Sequence, residues 1–297
     1  MAVSGGGDSL GMLAMAAAEM PDRLLILTVD HRLRTGSAAD AAYVEAICAD
    51  RGLACVRLDL QWAEDLPSAN RAASARAARY AAMAKVCRER GVPYLLTAHH
   101  RDDQAETILM RLARGSGAAG LRGIKARTCI AGLAVLRPVL GETRASLRAA
   151  AEAAGFEPRE DPTNRDMAYD RPRFRALLQR EPLLDPRHLA ETAGHLADVE
   201  QALCWAEERA VAGNLRREGD VVVLDPAGLP AELVRRLLLR AISMLSSGAA
   251  PRGPALARFQ SALVEGRTAT LGGTRGRVHG SEWHLQAAPP RRSGAST

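Results

Sequence analysis

The sequence predicts an α/β fold, a doubly wound parallel sheet joined to a smaller, mainly helical second domain. Short apolar runs alternate with longer helical stretches along the first third of the chain. A glycine-rich loop opens a helix almost at the start, and two polar clusters fall where predicted strands end. Alternating strands and helices imply parallel pairing with right-handed crossovers. Ligands in such sheets bind at the carboxyl ends of the strands.

The loop comes first. Ser4, Gly5, Gly6, Gly7, Asp8 and Ser9 precede Leu10, Leu13, Ala14 and Ala17, which repeat at helical spacing. Glycines let a backbone approach a ligand closely, and the free N–H groups of a first helical turn attract anions, phosphate above all. A Walker-type loop is excluded, because the only lysines are Lys85 and Lys125, neither beside a glycine-rich loop. A secretory signal also fits poorly, since Asp8 is the only charge before Glu19 and no basic leader stands there.

Residues 23–29 (RLLILTV) read as a strand buried on both faces. A helix is expected over 37–51, with Ser37 as N-cap and Gly52 beyond its end. Residues 53–60 alternate like a strand, 70–90 form a long Ala/Arg helix closed by Gly91, and 92–98 (VPYLLTA) are another buried strand. Further on, 189–211 and Ala231–Leu245 read as amphipathic helices.

The polar clusters leave the strands on one rim. Asp30, His31, Arg32, Leu33 and Arg34 follow the first strand; His99, His100, Arg101, Asp102, Asp103 and Glu106 follow the third. On the helix opened by the second cluster, Glu106 stands at i+3 from Asp103 and i+4 from Asp102, so the carboxylates share a face. Acidic groups in a first turn also stabilise the helix dipole with no chemical duty. A metal site built from His99, His100 and these acids is a second option.

Composition sets further bounds. With 297 residues, 47% of them hydrophobic, the chain has room for about two domains. A net charge of +6, nearly all of the positive charge arginine, permits nucleic-acid binding without requiring it. Aromatic residues make up only 3%, which argues against a base-stacking surface. Cys48, Cys55, Cys87, Cys129 and Cys204 form no Cys-x-x-Cys pair, so neither a disulfide framework nor a zinc site is suggested, and a reducing cytoplasm fits best. No apolar run approaches the ~20 residues that span a bilayer, so no membrane partner is expected.

Taken together, the motifs resemble a known family. The loop from Ser4 to Ser9 is similar to the SGGxDS signature of PP-loop ATP pyrophosphatases. Residues 98–124 (AHHRDDQAETILMRLARGSGAAGLRGI), the DHRLR segment, Arg137-Pro138 and 161–175 (DPTNRDMAYDRPRFR) resemble bacterial tRNA(Ile)-lysidine synthetases in the same order. Residues 270–278 (TLGGTRGRV) resemble the end of that family's linker domain. Three positions depart: Arg32 replaces a glycine, Thr163 a serine, and Pro172 an asparagine, the proline being expected to push Arg171 toward extended geometry.

The resemblance implies an adenine-nucleotide-binding PP-loop catalytic domain over 1–185, a mainly helical linker or tRNA-binding domain over 186–285, and a disordered tail over 286–297. It implies adenylation by ATP of the wobble cytidine in the CAU anticodon of an isoleucine tRNA, followed by displacement of AMP by L-lysine. Ser4, Gly5, Gly6, Gly7, Asp8, Ser9, His31 and Arg34 would bind ATP, Asp8 also holding Mg²⁺. The candidate catalytic groups are Asp8, His100, Asp102, Asp103 and Glu106, with Asp103 and Glu106 binding the lysine and His100 or an acid accepting a proton. Arg114, beside a mobile Gly115-Ser116-Gly117 lip, and Arg171, Arg173 and Arg175 would contact tRNA. A thiolase or an inactive tRNA-binding adaptor is the competing reading, and a homodimer is left open.

Finally, only residues 1–3 precede the loop, whereas a typical strand has about 5–6 residues. A strand feeding such a loop is normally central. The expectation is therefore that the native chain carries several more apolar residues ahead of Val3.

Overall fold

The computed structural model describes residues 1–33, 36–62, 71–160, 166–246, 251 and 253–289. The chain divides into two compact units, Met1–Ala197 and Asp198–Thr297.

In the first unit, β1 (Leu25–Asp30) pairs in parallel with β2 (Ala54–Asp59), and Ala2 bridges Leu27 in parallel on the other side. Residues 1–3 lie between β1 and β3 (Tyr94–Leu96): Leu27 N donates to Met1 O at 2.8 Å, Val3 N to Leu27 O at 3.0 Å, and Ala2 N to Leu96 O at 2.9 Å. The short segment thus bonds to both neighbours, as a central strand must. Beyond β3 come β5 (Leu133–Leu136), parallel to it, and β4 (Arg127–Ile130), antiparallel to β5. The β4–β5 hairpin was not legible in the sequence; Ala131 and Gly132, at φ 51° and 75°, make the two-residue turn that matches strand twist.

Helices cover both faces. On one, Val3, Leu10, Leu13, Ile26, Val44 and Leu147 form a core between the sheet and the helices α1 (Gly7–Glu19), α2 (Ser37–Asp50) and, further along the chain, α6 (Arg144–Ala153). On the other, Tyr80, Met83 and Cys87 of α3 (Arg71–Glu89) pack on Leu27, Leu95 and Val135. Successive residues of each strand enter opposite cores, as the pleat demands. The helices α1 and α6 meet backbone to backbone at Gly11, where a Cβ would lie 2.1 Å from Leu147 O. That approach decides where the first turn of α6 ends up.

Two local expectations are corrected. The N-cap of α2 is Gly36, at φ 96°, while the Ser37 hydroxyl turns back to Asp30. The helix α7 (Asp170–Arg180) includes Arg171 and Pro172, so Arg171 is helical rather than extended. Proline is tolerated there because first-turn N–H groups have no helical partner.

In the second unit, α9 (Ala231–Leu245) and α10 (Gly253–Val264) bury Leu237, Leu238, Leu256 and Phe259. Beside them is a five-stranded antiparallel sheet the sequence reading did not anticipate, in the order β6 (Leu215–Glu218), β7 (Val221–Leu224), β10 (Glu282–Ala287), β9 (Thr274–His279), β8 (Ala269–Leu271). Two of its strands are too short or too polar to show a period. The expected tail at 286–297 gives up Gln286 and Ala287 to β10, and 290–297 lie outside the described residues. The long helix α8 (Pro186–Asn214) carries the division between units.

Candidate active site

The loop is built by its glycines and two hydroxyls. Gly5 sits at φ 83°, a conformation open to glycine at no steric cost, and its carbonyl accepts from Arg159 N at 2.9 Å. Ser4 N donates to Ser9 Oγ at 3.1 Å, and Ser9 Oγ donates to Gly6 O at 3.0 Å. Gly6 caps α1 without a side chain, so the first N–H groups of the helix are left for a ligand. A cleft of about 380 Å³ opens in front of them, lined by Ser4, Gly6, Asp8, Ser9, His31, Ser37, His99 and Asp103.

At the end of β1, Asp30 is 2% exposed and accepts from Ser37 Oγ at 2.6 Å, Arg32 N at 3.0 Å and Arg57 Nη2 at 3.2 Å. Burial works against its charge, but these donors outweigh it and hold the carboxyl below its usual range. The anchor sets the turn that brings His31 to the cleft, where His31 Nδ1 accepts from Leu33 N at 3.1 Å. Arg34 lies outside the described residues.

The second cluster begins α4 (Arg101–Leu112). Asp103 accepts from the backbone N of His100, its N-cap, at 3.2 Å. The imidazole of His100 is fully buried among three carboxylates: Nε2 is 3.4 Å from Asp8 and 3.5 Å from Asp103, and Nδ1 is 3.4 Å from Asp102. Burial lowers the affinity of the ring for a proton, yet Asp102 and Asp8, then Asp103, raise its pKa to about 9. The carboxyl of Asp102 is correspondingly held at about 2: burial opposes the charge, and His100 and the backbone of Arg144 more than offset it. Asp8 is lowered as well, burial again being overcome by His100 and Arg144. At neutral pH His100 is therefore a cation that gathers carboxylates, and it has no vacancy for another proton. Its neighbour His99 goes the other way. Burial, with Arg137, Arg76 and Arg171 nearby and only Asp103 opposing, lowers it to about 4, so it stays neutral with Nδ1 3.0 Å from Thr97 Oγ1.

Glu106, 1% exposed, is enclosed by arginines. Arg175 Nε lies 2.8 Å from it, Arg144 Nη2 3.2 Å and Arg171 Nε 3.4 Å. Arg171 also reaches Asp103 at 3.8 Å. Arg171 and Arg175 thus face the carboxylates, whereas Arg173 is exposed and Arg114 pairs with Asp170 at the surface. The Gly115-Ser116-Gly117 turn closes α4, Ser116 N donating to Arg111 O at 3.0 Å. Thr163 and Asn164 lie outside the described residues. Among the described residues no three His, Cys, Asp or Glu side chains are grouped to hold a metal, so the option of a His99–His100 metal centre finds no support.

The site has members that sequence reasoning missed. Arg144, at the start of α6, donates from its backbone N to Asp102 Oδ2 at 2.9 Å and stands 3.9 Å from Asp8. A second, basic cleft of about 670 Å³ adjoins His99 and Arg171 and is lined by Arg76, Arg111, Arg122, Lys125 and Arg137. Arg137 is 6% exposed, its Nη1 donates to Lys125 O at 2.6 Å, and its Nε has no hydrogen-bond partner among the described residues.

Comparison with known proteins shows the family. The PP-loop domain family matches residues 1–181. A tRNA(Ile)-lysidine synthase of Zymomonas mobilis is 40% identical over 98% of this chain and 89% of its own length. Another, of Novosphingobium aromaticivorans, is 42% identical over 99% and 90%. The chain belongs to the tRNA(Ile)-lysidine synthase family of PP-loop proteins. A solved U34-tRNA thiolase from Methanococcus maripaludis, with its [4Fe-4S] cluster, shares the fold at a TM-score of 0.54 and 16% identity, covering 67% of this chain and 70% of its own. At that identity the likeness is one of fold alone, and the thiolase alternative gains nothing from it.

Proposed function

We propose that this protein joins lysine to the wobble cytidine of the CAU anticodon of an isoleucine tRNA, using ATP and releasing AMP and pyrophosphate. The observation that carries the reading is the meeting of the loop carboxylate Asp8 with Asp102 and Asp103 around one buried imidazole, in a chain about 40% identical to lysidine synthases along nearly its whole length.

The loop N–H groups and the positive end of α1 suit the leaving pyrophosphate, with the hydroxyls of Ser4 and Ser9 beside them. In the first step the base's 2-carbonyl oxygen bonds to the α-phosphorus as its bond to pyrophosphate breaks. Asp8 offers hard oxygen donors at the cleft and fits Mg²⁺ held mainly by phosphates and water, an ion that when bound would offset charge on pyrophosphate. In the second step the ε-amine of lysine bonds to C2, and AMP leaves with the oxygen. The ammonium nitrogen gives up one proton before attack and one after it. With His100 already protonated, Asp103 or Glu106 is the acceptor, and the same two carboxylates balance the incoming ammonium.

The RNA backbone is assigned to the basic cleft. Arg137 is buried without a carboxylate partner among the described residues, and Arg76, Arg111 and Lys125 line the same space. Cations gathered so closely repel one another until an anion joins them. Arg114, exposed and paired with Asp170, lines the same cleft. No helix among the described residues is long and apolar enough to cross a membrane, and the cytoplasm supplies all three substrates.

The test is incubation with ATP, labelled lysine and an isoleucine tRNA transcript. Label should appear on the wobble base, and omission of any one substrate should abolish it. An adaptor would release no pyrophosphate, and a thiolase would incorporate sulfur instead.

A further inference from the structure

Arg144 stands between the two halves of the reaction. Its guanidinium is 3.2 Å from Glu106 on one side and 3.9 Å from Asp8 on the other. Its backbone is pinned: Arg144 N donates to Asp102 Oδ2, and Arg101 N to Glu142 O at 2.8 Å. The Cα is therefore fixed against the first turn of α4, and only the side chain has room to move. That side chain lines a cleft on the glycine loop together with Gly6, Gly7, Asp8, Arg148 and Arg175. Phosphate oxygens at the loop and the carboxylate of Glu106 are thus rival partners for one guanidinium.

Glu106 pairs with Arg144, Arg171 and Arg175 at once. An ammonium group has to displace a guanidinium to reach it. A triphosphate carries several negative charges and matches the arginine fork as well as a carboxylate does, so it draws the side chain toward the loop. We propose that Arg144 is a positioning residue that passes from Glu106 to the nucleotide's phosphates, so that ATP binding opens the amine site. The inference rests on the proposed function and adds to it an order of binding. By reciprocity, lysine must tighten ATP binding by the same factor.

The experiment is equilibrium dialysis of labelled lysine against the full chain, with and without a non-hydrolysable ATP analogue. Coupled sites typically differ by ~5-fold or more, and the wild-type protein should bind lysine at least that much more tightly with the analogue present. In Arg144→Ala, lysine binding without nucleotide should strengthen and the increment should fall to about one-fold. Arg144→Lys keeps a mobile cation and the backbone bond to Asp102, and should retain part of the increment. Equal lysine affinity with and without nucleotide in the wild type overturns the proposal, as does an undiminished increment in Arg144→Ala. If Arg144→Ala fails to fold, Arg144→Lys decides: an increment equal to that of the wild type, with Glu106 equally occupied, counts against the relay. Wild-type protein that labels tRNA yet lacks the increment sinks the coupling alone. Failure to label tRNA at all sinks the function.

Discussion

His100 Nε2 lies 3.4 Å from Asp8 Oδ2, so the first turns of α1 and α4 are joined through one buried imidazole. The nucleotide loop and the carboxylate helix therefore form one electrostatic unit, and its stability depends on a single proton.

That proton makes the first prediction. The folded pKa of about 9 lies above the unfolded value of about 6.5. The contribution is complete below pH 6.5 and is lost as pH rises through 9. Urea denaturation in EDTA should show the wild type losing up to about 3 kcal/mol relative to His100→Asn between pH 6 and 9.5, the size of the shift converted at 1.36 kcal/mol per unit. His100→Asn should be less stable at pH 6, and its deficit should close across the window. A His100→Asn curve parallel to the wild type would remove His100 as the source.

Glu106→Gln should act on both stability and chemistry. It leaves three guanidinium groups around a neutral amide, and breaking a buried pair of this kind costs about 3–5 kcal/mol. Of the two chemical steps, lysine transfer should suffer and adenylation should be spared, since the lost charge opposes the ammonium and not the phosphates. Lysine-independent pyrophosphate exchange with tRNA present, measured beside lysine incorporation, separates the two. Equal loss in both would refute the assignment of Glu106 to the amine.

Much of this cluster is legible in the sequence, and the reason is local. The loop, the end of β1 and the start of α4 each announce themselves by residues adjacent in sequence, and the rule that ligands sit at strand ends brings them together. Arg144 had no such signal. It is 38 residues from Glu106, outside every motif, and it arrives because Gly11 lets α1 and α6 touch. Arg171 and Arg175 were legible as arginines on one stretch, but whether they meet phosphates or carboxylates depends on how α7 packs against α4. The β4–β5 hairpin and the second unit's sheet were lost for another reason, since strands of three or four residues are too brief to establish a period.

Arg32 offers a prediction in the opposite direction, toward higher stability. It stands at φ 49°, in the left-handed region, where the resemblance places a glycine. A non-glycine residue there costs about 1–2 kcal/mol, while glycine adds roughly 0.4–1 kcal/mol of unfolded-chain entropy. Its ion pair with Asp59 is long, at 3.5 Å, and exposed on both sides, so little is lost with it. Arg32→Gly should thus stabilise the protein by about 0.5–1 kcal/mol. A lower melting temperature in the glycine variant would mean that the Arg32 side chain has a partner worth more than its backbone strain.

The last prediction separates the two arginine groups by salt dependence. A side chain that neutralises an RNA phosphate releases counterions, and its loss lowers the slope of log affinity against log salt by about one per contact. Arg76 and Lys125 line the basic cleft beside the buried Arg137. Arg171 and Arg175 already face Glu106. The double variant Arg76→Ala/Lys125→Ala should therefore flatten the tRNA salt slope by about two and weaken binding with little change in melting temperature. Arg175→Ala should do the reverse, lowering stability by leaving Glu106 short of a partner while the slope changes by less than one. Filter binding across a salt series, with thermal melts of each variant, reads both quantities. If Arg175→Ala takes the larger share of the slope, the RNA phosphates lie along α7, and the cleft beside Arg137 holds something else.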